Sequence, residues 1–389
     1  MLKKIIRKIL KEKLKKMTDI EMRAFDEAVK VLERCSTKNG FYAAFPGYDM
    51  VFARDSMIMS LGASLIGEKF KEVIKKSLMT LAENQSEKGQ VPNAVDLFSK
   101  RKRHIDYQSI DSTLWFLIGE MNYASRFKDR SLMKKHKKNI DKALTWLSYQ
   151  DICERGLLDE LPTTDWEDAF PEKFGHAINE MSLYYKVLNL YGKKKHALKL
   201  KKIINEDKDK KLWNKNYYYA WRWKNHGKYR EWGDWFDSLG NVMAIVYDLA
   251  DKKRAEKVLN YIKKEKIDKP YPMKSIFPSI KKGSRYWKDY FDDCDARDED
   301  HYLNAGIWTY IGGFYVCALV KMGKIKGAEK QLRKLAEANM LEPKFSEWLD
   351  GKTGKPFSGR VGKKEGNQGW NAGMYIVAYE SVKRRKCLI

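Results

Sequence analysis

Cysteine, histidine and long apolar runs are scarce in this chain of 389 residues. Its five cysteines are widely spaced and include no C-x-x-C pair, so the sequence predicts neither a disulfide framework nor a structural zinc site. Among the six histidines, His176 and His301 lack ligand-like partners at suitable spacing, and we expect no catalytic metal and no cofactor. No apolar run approaches the roughly 18 residues that a membrane span needs. With no evident secretory signal, these absences favour a reducing, cytoplasmic compartment.

Positive charge, by contrast, is abundant, because 77 Lys and Arg outnumber 52 Asp and Glu and give a formal net charge of +25. A strongly basic chain raises the question of a nucleic-acid partner. The lysines, however, alternate with apolar residues at helical spacing, as in KFKEVIKKSL and KKHKKNIDKAL, which is typical of solvated helix faces. No zinc-finger or RNP motif accompanies them. We therefore expect no specific nucleic-acid partner.

Residues 1–17 read as a basic amphipathic helix, with apolar residues at helical spacing and lysines on the opposite face. We expect this helix to pack on a single domain formed by residues 18–389. The alternative is weak contact with an anionic membrane surface.

Helical periodicity covers almost the whole chain. Amphipathic segments are predicted near residues 18–35, 54–66, 69–83, 109–126, 131–149, 175–191, 194–212, 235–249, 252–265, 301–321, 325–339 and 367–384. Short connections join them in pairs, and longer loops rich in Trp, Asp and Gly separate the pairs. Only YYYAWRW alternates enough to predict a local strand or hairpin. Twelve helices in six hairpins predict an all-α fold, a closed (α/α)6 toroid whose inner helices line a funnel.

Acids and tryptophans are concentrated in the loops between pairs and at the first turns of alternate helices. The sets are Arg54 with Asp55, Asp111, residues 163–170, residues 230–241, residues 302–314 and residues 342–373. In a toroid, all six sets would lie at one mouth, where carboxylates bind hydroxyl groups and indole rings stack on a pyranose. The alternative for each single Trp is that it seals the core at a helix end.

The same segments resemble, in order from about residue 40 to 382, the (α/α)6-barrel inverting glycosidases. The similar motifs are FPGYDMVFARDSMIMSLG, GQVPN, SIDSTLWF, TDWEDA, NAGIWTYIGGFYVCALVKMGK, and FSEWLDG followed by NQGWNAG. The resemblance is greatest to the amylo-α-1,6-glucosidase part of glycogen-debranching enzymes and to the alkaline/neutral invertase-like proteins. It implies an enzyme that hydrolyses O-glycosyl bonds with inversion.

The resemblance implies that Glu347 is the general base and Asp168 the general acid. Inversion needs a protonated carboxyl near the glycosidic oxygen and an ionised carboxylate that holds a water on the far side, about 6.5–9.5 Å away. Because the chain reads DWED, Asp165 and Glu167 remain alternative acids. Trp166 is placed in the sequence to raise the pKa of the acid.

The matching motifs also imply a set of substrate contacts. Hydroxyl-binding or wall positions are Arg54, Asp55, Asp111, Trp166, Asn179, Glu180, Trp308, Gln368 and Trp370. For Asn179 and Glu180, the alignment can slip by one residue. For Asp111, the alternative is a helix N-cap.

The implied function is cleavage of a terminal α-glucosidic bond, of the amylo-α-1,6-glucosidase type, in a short oligosaccharide or small glucoside. One alternative is hydrolysis of sucrose, trehalose or a glucosylglycerate-type compound on the same fold. The other is a non-catalytic carbohydrate-binding protein.

Overall fold

A computed structural model describes residues 2–96, 104–226, 229–357 and 366–389, and the side chains of these residues except for 2–18, 224–226, 229 and 230. Its α-helices, in chain order, are α1 Leu2–Cys35, α2 Ala53–Ile66, α3 Lys71–Glu83, α4 Asp111–Arg126, α5 Ser131–Lys135, α6 Lys137–Tyr149, α7 Ile178–Leu190, α8 Lys194–Glu206, α9 Ser238–Val246, α10 Lys252–Lys264, α11 Thr309–Lys321, α12 Ile325–Asn339 and α13 Gly369–Arg384.

Six of these helices form a closed inner ring. Around the ring, α2 contacts α4, α4 contacts α7, α7 contacts α9, α9 contacts α11, α11 contacts α13, and α13 returns to α2. The remaining long helices form an outer layer, in which α3, α8, α10 and α12 pack against their sequence neighbours and α1 packs on α12 and α13. The predicted (α/α)6 toroid is thus confirmed.

The amino-acid pattern explains which helices lie inside. All residues of α9, SLGNVMAIV, are buried, because an inner helix meets protein on every side. The outer helix α10, KKRAEKVLNYIKK, buries only Ala255, Val258, Leu259 and Ile262, a stripe at the helical period. Its lysines occupy the other positions, as expected for solvated helix faces.

Close helix contact at the ring closure depends on glycine. A Cβ atom added at Gly62 on α2 would lie 2.1 Å from the carbonyl oxygen of Gly373 on α13. No side chain fits at that separation, so α2 and α13 can approach this closely only because Gly62 lacks one.

Short strands supplement the helices. They are β1 Ser36–Thr37, β2 Gly40–Phe41, β3 Val51–Phe52, β4 Ala94–Asp96, β5 His104–Asp106, β6 His176–Ala177, β7 Tyr219–His226, β8 Tyr229–Asp237 and β9 Ile276–Phe277. Antiparallel pairing gives a two-stranded sheet β1-β2, a three-stranded sheet β3-β4-β5 and a four-stranded sheet β6-β7-β8-β9. The hairpin expected from YYYAWRW is present as β7 and β8.

Three predicted helix starts are wrong. The helix predicted from residue 175 begins at Ile178, after strand β6. The segment predicted to become helical near residue 235 is still strand β8, and α9 begins at Ser238, where the Asp237 carboxylate caps it by accepting from the Gly240 N–H at 2.9 Å. The helix predicted from residue 301 begins at Thr309. Tyr302 and Ala305 have φ angles of 44° and 69°, in the left-handed region, which a right-handed helix cannot include.

The helix at the start of the chain is continuous from Leu2 to Cys35. Among the described residues, no helix combines the length and apolarity that crossing a membrane requires. The side chains of residues 2–17 lie outside the described part, so a separate role for this segment, including contact with a membrane surface, stays a prediction.

Candidate active site

The N-terminal ends of the inner helices carry most of the polar residues identified in the sequence. Arg54 and Asp55 lie in the first turn of α2, Asp111 begins α4, and Asn179 and Glu180 lie in the first turn of α7. All five are buried. The positive end of each helix dipole favours carboxylates at these positions. The ring therefore collects acids at one end.

The Arg54 guanidinium connects two of these helices. Its Nη1 donates to both carboxylate oxygens of Asp111, at 2.9 and 2.8 Å, and the Ser109 hydroxyl also donates to Asp111. Asp111 is the first residue of α4, whereas the N-cap is Ile110, which has no side-chain cap. The capping alternative is therefore wrong, and Asp111 holds Arg54 in place.

Asp55 and Asp168 belong to the same charged group as this ion pair. Burial raises the pKa of Asp55 to about 6, while Arg54 lowers it and the charges of Asp111 and Asp168 raise it further. These electrostatic interactions require the four residues to lie close together. A site with one guanidinium and three carboxyl groups offers both donors and acceptors to sugar hydroxyls.

A buried ammonium separates the acids of TDWEDAF into two environments. Lys173 Nζ is ion-paired with Asp165, and it lies 2.9 Å from Glu167 Oε2 and 3.4 Å from Asp237 Oδ2. Asp165 and Glu167 are only 1% and 0% exposed. Burial raises the pKa of Glu167 well above its usual range, although Lys173 lowers it. Both carboxyl groups are thus engaged with Lys173, away from solvent.

Asp168 is the solvent-accessible acid of that segment. Protein atoms nevertheless crowd its carboxyl group, and this burial raises its pKa to about 6. Arg54 opposes the shift, whereas Asp165 and Asp111 add to it. A carboxyl group with a raised pKa and access to solvent has the properties of a general acid.

An aromatic cluster adjoins Arg54. The indole of Trp308 lies edge-on to those of Trp166 and Trp370, with ring centroids 5.6 and 5.8 Å apart, and Tyr310 stacks on Trp370 at 4.3 Å. Burial raises the pKa of Tyr310 well above its usual range, and the charge of Arg54 partly offsets the shift. The three predicted tryptophans are therefore together. Sequence reasoning missed Tyr310, because it reads as an ordinary apolar position of α11.

Glu347 lies near an aromatic residue, Tyr302, that Asp168 also approaches. The Tyr48 hydroxyl donates to Glu347 Oε1 at 3.2 Å. Burial raises the pKa of Tyr302 well above its usual range, and the nearby charges of Glu347, Asp168 and Tyr48 contribute in that order. Glu347 is half-buried. Both predicted catalytic carboxyl groups thus lie near the phenol ring of Tyr302.

Tyr48 and Tyr302 were not identified in the sequence as site residues. Tyr48 lies within the motif FPGYDMVFARDSMIMSLG, six residues before Arg54, and Tyr302 lies two residues before the motif that begins NAGIW. A polar aromatic residue in such a segment was the available signal. Lys173 had no signal, because it is one of many lysines in the chain.

Several buried donors in this region have no hydrogen-bond partner among the described residues. They are Arg54 Nε, Trp166 Nε1, the Tyr310 hydroxyl, Gln368 Nε2 and Trp370 Nε1. Buried polar groups are normally paired, so a group of open donors beside an aromatic cluster is suited to a ligand rich in hydroxyl groups. Gln368 itself is the N-cap residue of α13, and its backbone N–H donates to the Phe345 carbonyl at 3.0 Å.

Behind the Lys173 cluster, Glu160, Asp165 and Glu180 bring one oxygen each within 4.8 Å of one another, close enough to share a cation. Burial raises the pKa of Glu180 to about 8 and that of Glu160 well above its usual range, and the charge of Asp165 raises both further. Of these three acids, Asp165 is also ion-paired with Lys173. The absence of a metal stays a prediction.

The fold is that of the six-hairpin (α/α)6 glycosidases. A GH63 mannosylglycerate hydrolase from Thermus thermophilus, solved in complex with glucose, superposes with a TM-score of 0.66 and 13% identity, over 91% of this chain and 99% of that one. A rhamnosidase from Klebsiella oxytoca with rhamnose bound gives a TM-score of 0.65 and 15% identity, over 94% of this chain and 64% of that one. At these identities the likeness establishes the fold.

Sequence comparison adds two family models. Residues 25–152 match the amylo-α-1,6-glucosidase model, and residues 230–384 match the alkaline and neutral invertase model. "Probable alkaline/neutral invertase F" from Arabidopsis thaliana is 30% identical over 37% of this chain, and "Neutral/alkaline invertase 1, mitochondrial" from Oryza sativa subsp. japonica is 31% identical over 31% of it. These alignments span only 28% and 19% of the two invertases. The chain thus resembles the inverting glycosidases of the invertase and debranching type.

Proposed function

We propose that the protein is an inverting glycoside hydrolase that removes a terminal α-linked glucose from a short oligosaccharide or small glucoside. Asp168 donates a proton to the leaving oxygen, and Glu347 activates a water on the opposite face of the sugar. The observation that carries the proposal is the pair of carboxyl groups, Asp168 and Glu347, beside the shared ring of Tyr302.

The choice of Asp168 over its neighbours follows from accessibility and charge. A general acid must lie within hydrogen-bond reach of the leaving oxygen. Asp165 and Glu167 are buried against Lys173, whereas Asp168 is open to solvent and has a pKa of about 6. With that pKa, about a tenth of the Asp168 carboxyl groups are protonated at pH 7, far more than for an ordinary aspartate, which supports Asp168 as the acid.

The remaining residues supply binding in this proposal. Arg54, Asp55 and Asp111 bind hydroxyls of the terminal sugar, and the cluster of Trp166, Trp308 and Trp370 forms the wall on which its apolar face rests. The open donors of Gln368 and Trp370 add hydrogen bonds. Asn179 and Glu180, in the first turn of α7, line the bottom of the site.

Sucrose is the second candidate substrate. The alkaline and neutral invertase model covers residues 230–384, which include Trp308, Glu347 and Trp370. A sugar glycerate is a third, because the structural relative from Thermus thermophilus is a mannosylglycerate hydrolase. Either substrate would use the same two carboxyl groups.

The test is a substrate panel with stereochemical readout. Purified protein is incubated with isomaltose, panose, maltose, trehalose, sucrose and glucosylglycerate, and released monosaccharide is measured. Proton NMR before mutarotation should show the β-anomer first from an α-glucoside. An initial α-anomer would instead require a covalent intermediate and carboxyl groups only about 5–5.5 Å apart, and it would overturn the inverting mechanism.

Substitutions test the roles. Asp168→Asn and Glu347→Gln should each lower kcat by about 10² or more, since each removes general acid–base catalysis, while circular dichroism stays unchanged. Asp165→Asn and Glu167→Gln are the matched controls within the same segment. If either control abolishes activity in a folded protein while Asp168→Asn is nearly silent, the acid is misassigned. If all four are silent towards every substrate that is hydrolysed, the site itself is wrong.

A further inference from the structure

An aromatic groove of about 480 Å³ lies between three chain segments, one of which carries Asp168. We name it the hairpin groove and define it by Glu172, Phe174, Trp221, Trp232, Arg285 and Tyr286. Its volume lies within the roughly 300–1,000 Å³ of small-molecule sites.

The walls of the hairpin groove connect it to the reaction site. Glu172 and Phe174 follow Asp168 by four and six residues on the same connecting segment. On that segment, Phe170 packs edge-on against Trp287, the residue after Tyr286, with ring centroids 6.2 Å apart. The segment that carries the proposed acid is therefore fixed against the segment that carries a wall of the groove.

The aromatic rings of the groove are held in place by the β7–β8 hairpin. A Cβ atom added at Gly233 would lie 2.4 Å from Trp221 Nε1 and 2.5 Å from the Trp235 ring, so both indoles rest on bare backbone. Tyr286 packs edge-on against Trp235, with centroids 4.8 Å apart. Trp221 itself is only half-buried, so part of its ring faces the groove. Fixed aromatic faces lose little side-chain entropy on binding.

Two acids, Glu172 and Glu231, and two cations, Arg285 and Lys288, line the hairpin groove, so its charges balance. Lys288 Nζ lies 3.4 Å from Glu172, and Arg285 Nη2 donates to Asp234 at 3.0 Å. In a chain of net charge +25, this groove is therefore not a basic patch. Aromatic faces among polar groups of balanced charge are suited to a neutral ligand with apolar ring faces and many hydroxyls.

We propose that the hairpin groove binds the second and further units of a neutral oligosaccharide whose terminal unit is held beside Asp168 and Glu347. This inference rests on the proposed function and narrows it. The substrate class is an oligosaccharide longer than a disaccharide, in preference to sucrose or a small glucoside. Trp221 and Tyr286 are then specificity-determining residues.

The experiment measures binding without turnover. Asp168→Asn protein is titrated calorimetrically with isomaltose and isomaltotetraose, and separately with maltose and maltotetraose. In one of the two series, the tetrasaccharide should bind at least about tenfold more tightly than the disaccharide, which corresponds to about 1.4 kcal/mol. Adding Trp221→Ala should remove most of that difference, and Trp221→Phe should retain part of it.

Two controls separate the groove from general effects. Tyr149→Ala removes an aromatic residue that is 77% exposed at the end of the outer helix α6, and it should leave the chain-length preference unchanged. Tyr286→Ala changes a second lining residue of the groove and should reproduce the effect of Trp221→Ala, which covers the case in which the latter variant does not fold.

Equal affinities for the disaccharide and tetrasaccharide in both series would overturn the inference, as would a preference that survives both wall substitutions. Hydrolysis of all chain lengths by the wild-type protein with equal kcat/KM would also overturn it, yet would leave the proposed activity standing. Conversely, Trp221-dependent binding of a tetrasaccharide without hydrolysis of any glycoside would support the groove and overturn the proposed activity.

Discussion

Replacing Lys173 by methionine tests how the acids of the TDWEDAF segment are organised. The substitution keeps a long side chain but removes the only positive charge within 4 Å of Asp165, Glu167 and Asp237 among the described residues. Breaking a buried ion pair by removing one partner typically costs about 3–5 kcal/mol, because the remaining charge is buried without compensation. We expect Lys173→Met to destabilise the fold by that amount.

The expected shift in Tm follows from chain length. At about 2.1 cal/mol/K per residue, the unfolding entropy of 389 residues is about 0.8 kcal/mol/K. A loss of about 3–5 kcal/mol therefore lowers Tm by about 4–6 °C at neutral pH. Differential scanning calorimetry or tryptophan fluorescence during heating measures it directly.

The pH dependence identifies the cause. Without Lys173, the folded pKa of Glu167, which burial already raises, rises further above the unfolded value. Ionisation of Glu167 then opposes folding more in the variant than in wild type, so the difference in stability between them grows as pH rises through the raised folded pKa of wild-type Glu167 and shrinks at lower pH. Lys282→Met is the control, because its ion pair with Asp292 is on the surface and contributes at most about 1 kcal/mol. A Tm for Lys173→Met within 1 °C of wild type at every pH would refute the conclusion that a charged Lys173 is ion-paired with the buried acids.

Helical periodicity predicted the ring well because inner and outer helices bury different fractions of their surface. The segments that became α2, α4, α7 and α11 were all found, although residues 131–149 are divided at His136 into α5 and α6. The errors lie where the backbone is constrained by something other than periodicity. The left-handed conformations of Tyr302 and Ala305 delay α11 by eight residues, and neither residue type signals such a conformation.

Strand β8 shows a second kind of limit. Its sequence, YREWGDWFD, places glycine and charged residues within an aromatic series, so alternation is broken and the segment reads as a loop. What makes it a strand is its pairing with β7 and β9, and the room that Gly233 leaves for two indole rings. Such tertiary contacts are not visible in a window of the sequence.

For the site, the sequence limited the candidates for the general acid to three neighbouring residues and could not choose among them. Asp165, Glu167 and Asp168 differ by what surrounds them, and that difference is made by Lys173, whose partners lie on two separate segments. The sequence around Lys173 does not distinguish it from the surface lysines of the outer helices. Ordered motifs predicted the acids at the site, whereas burial and pairing distinguish their chemistry.

Three further predictions concern activity and closure of the ring. In a pH profile, kcat/KM should fall above about pH 6 as Asp168 loses its proton. A decline that begins only several pH units higher would contradict the role of Asp168 as the acid. Deleting residues 2–16 should leave kcat/KM unchanged, because the described site contains none of them; lost activity in a folded truncation would contradict this. Gly62→Ala should lower Tm, since the new methyl group would lie 2.1 Å from the Gly373 carbonyl oxygen and force α2 from α13, at a cost of about 1–3 kcal/mol. Gly327→Ala, on the outer helix α12 with no neighbouring atom nearer than 3.9 Å, should instead raise stability by about 0.5–1 kcal/mol through the helix propensity of alanine. The contact between α2 and α13 closes the ring, so equal stabilities of the two variants would mean that these helices do not meet as described and that the toroid is open.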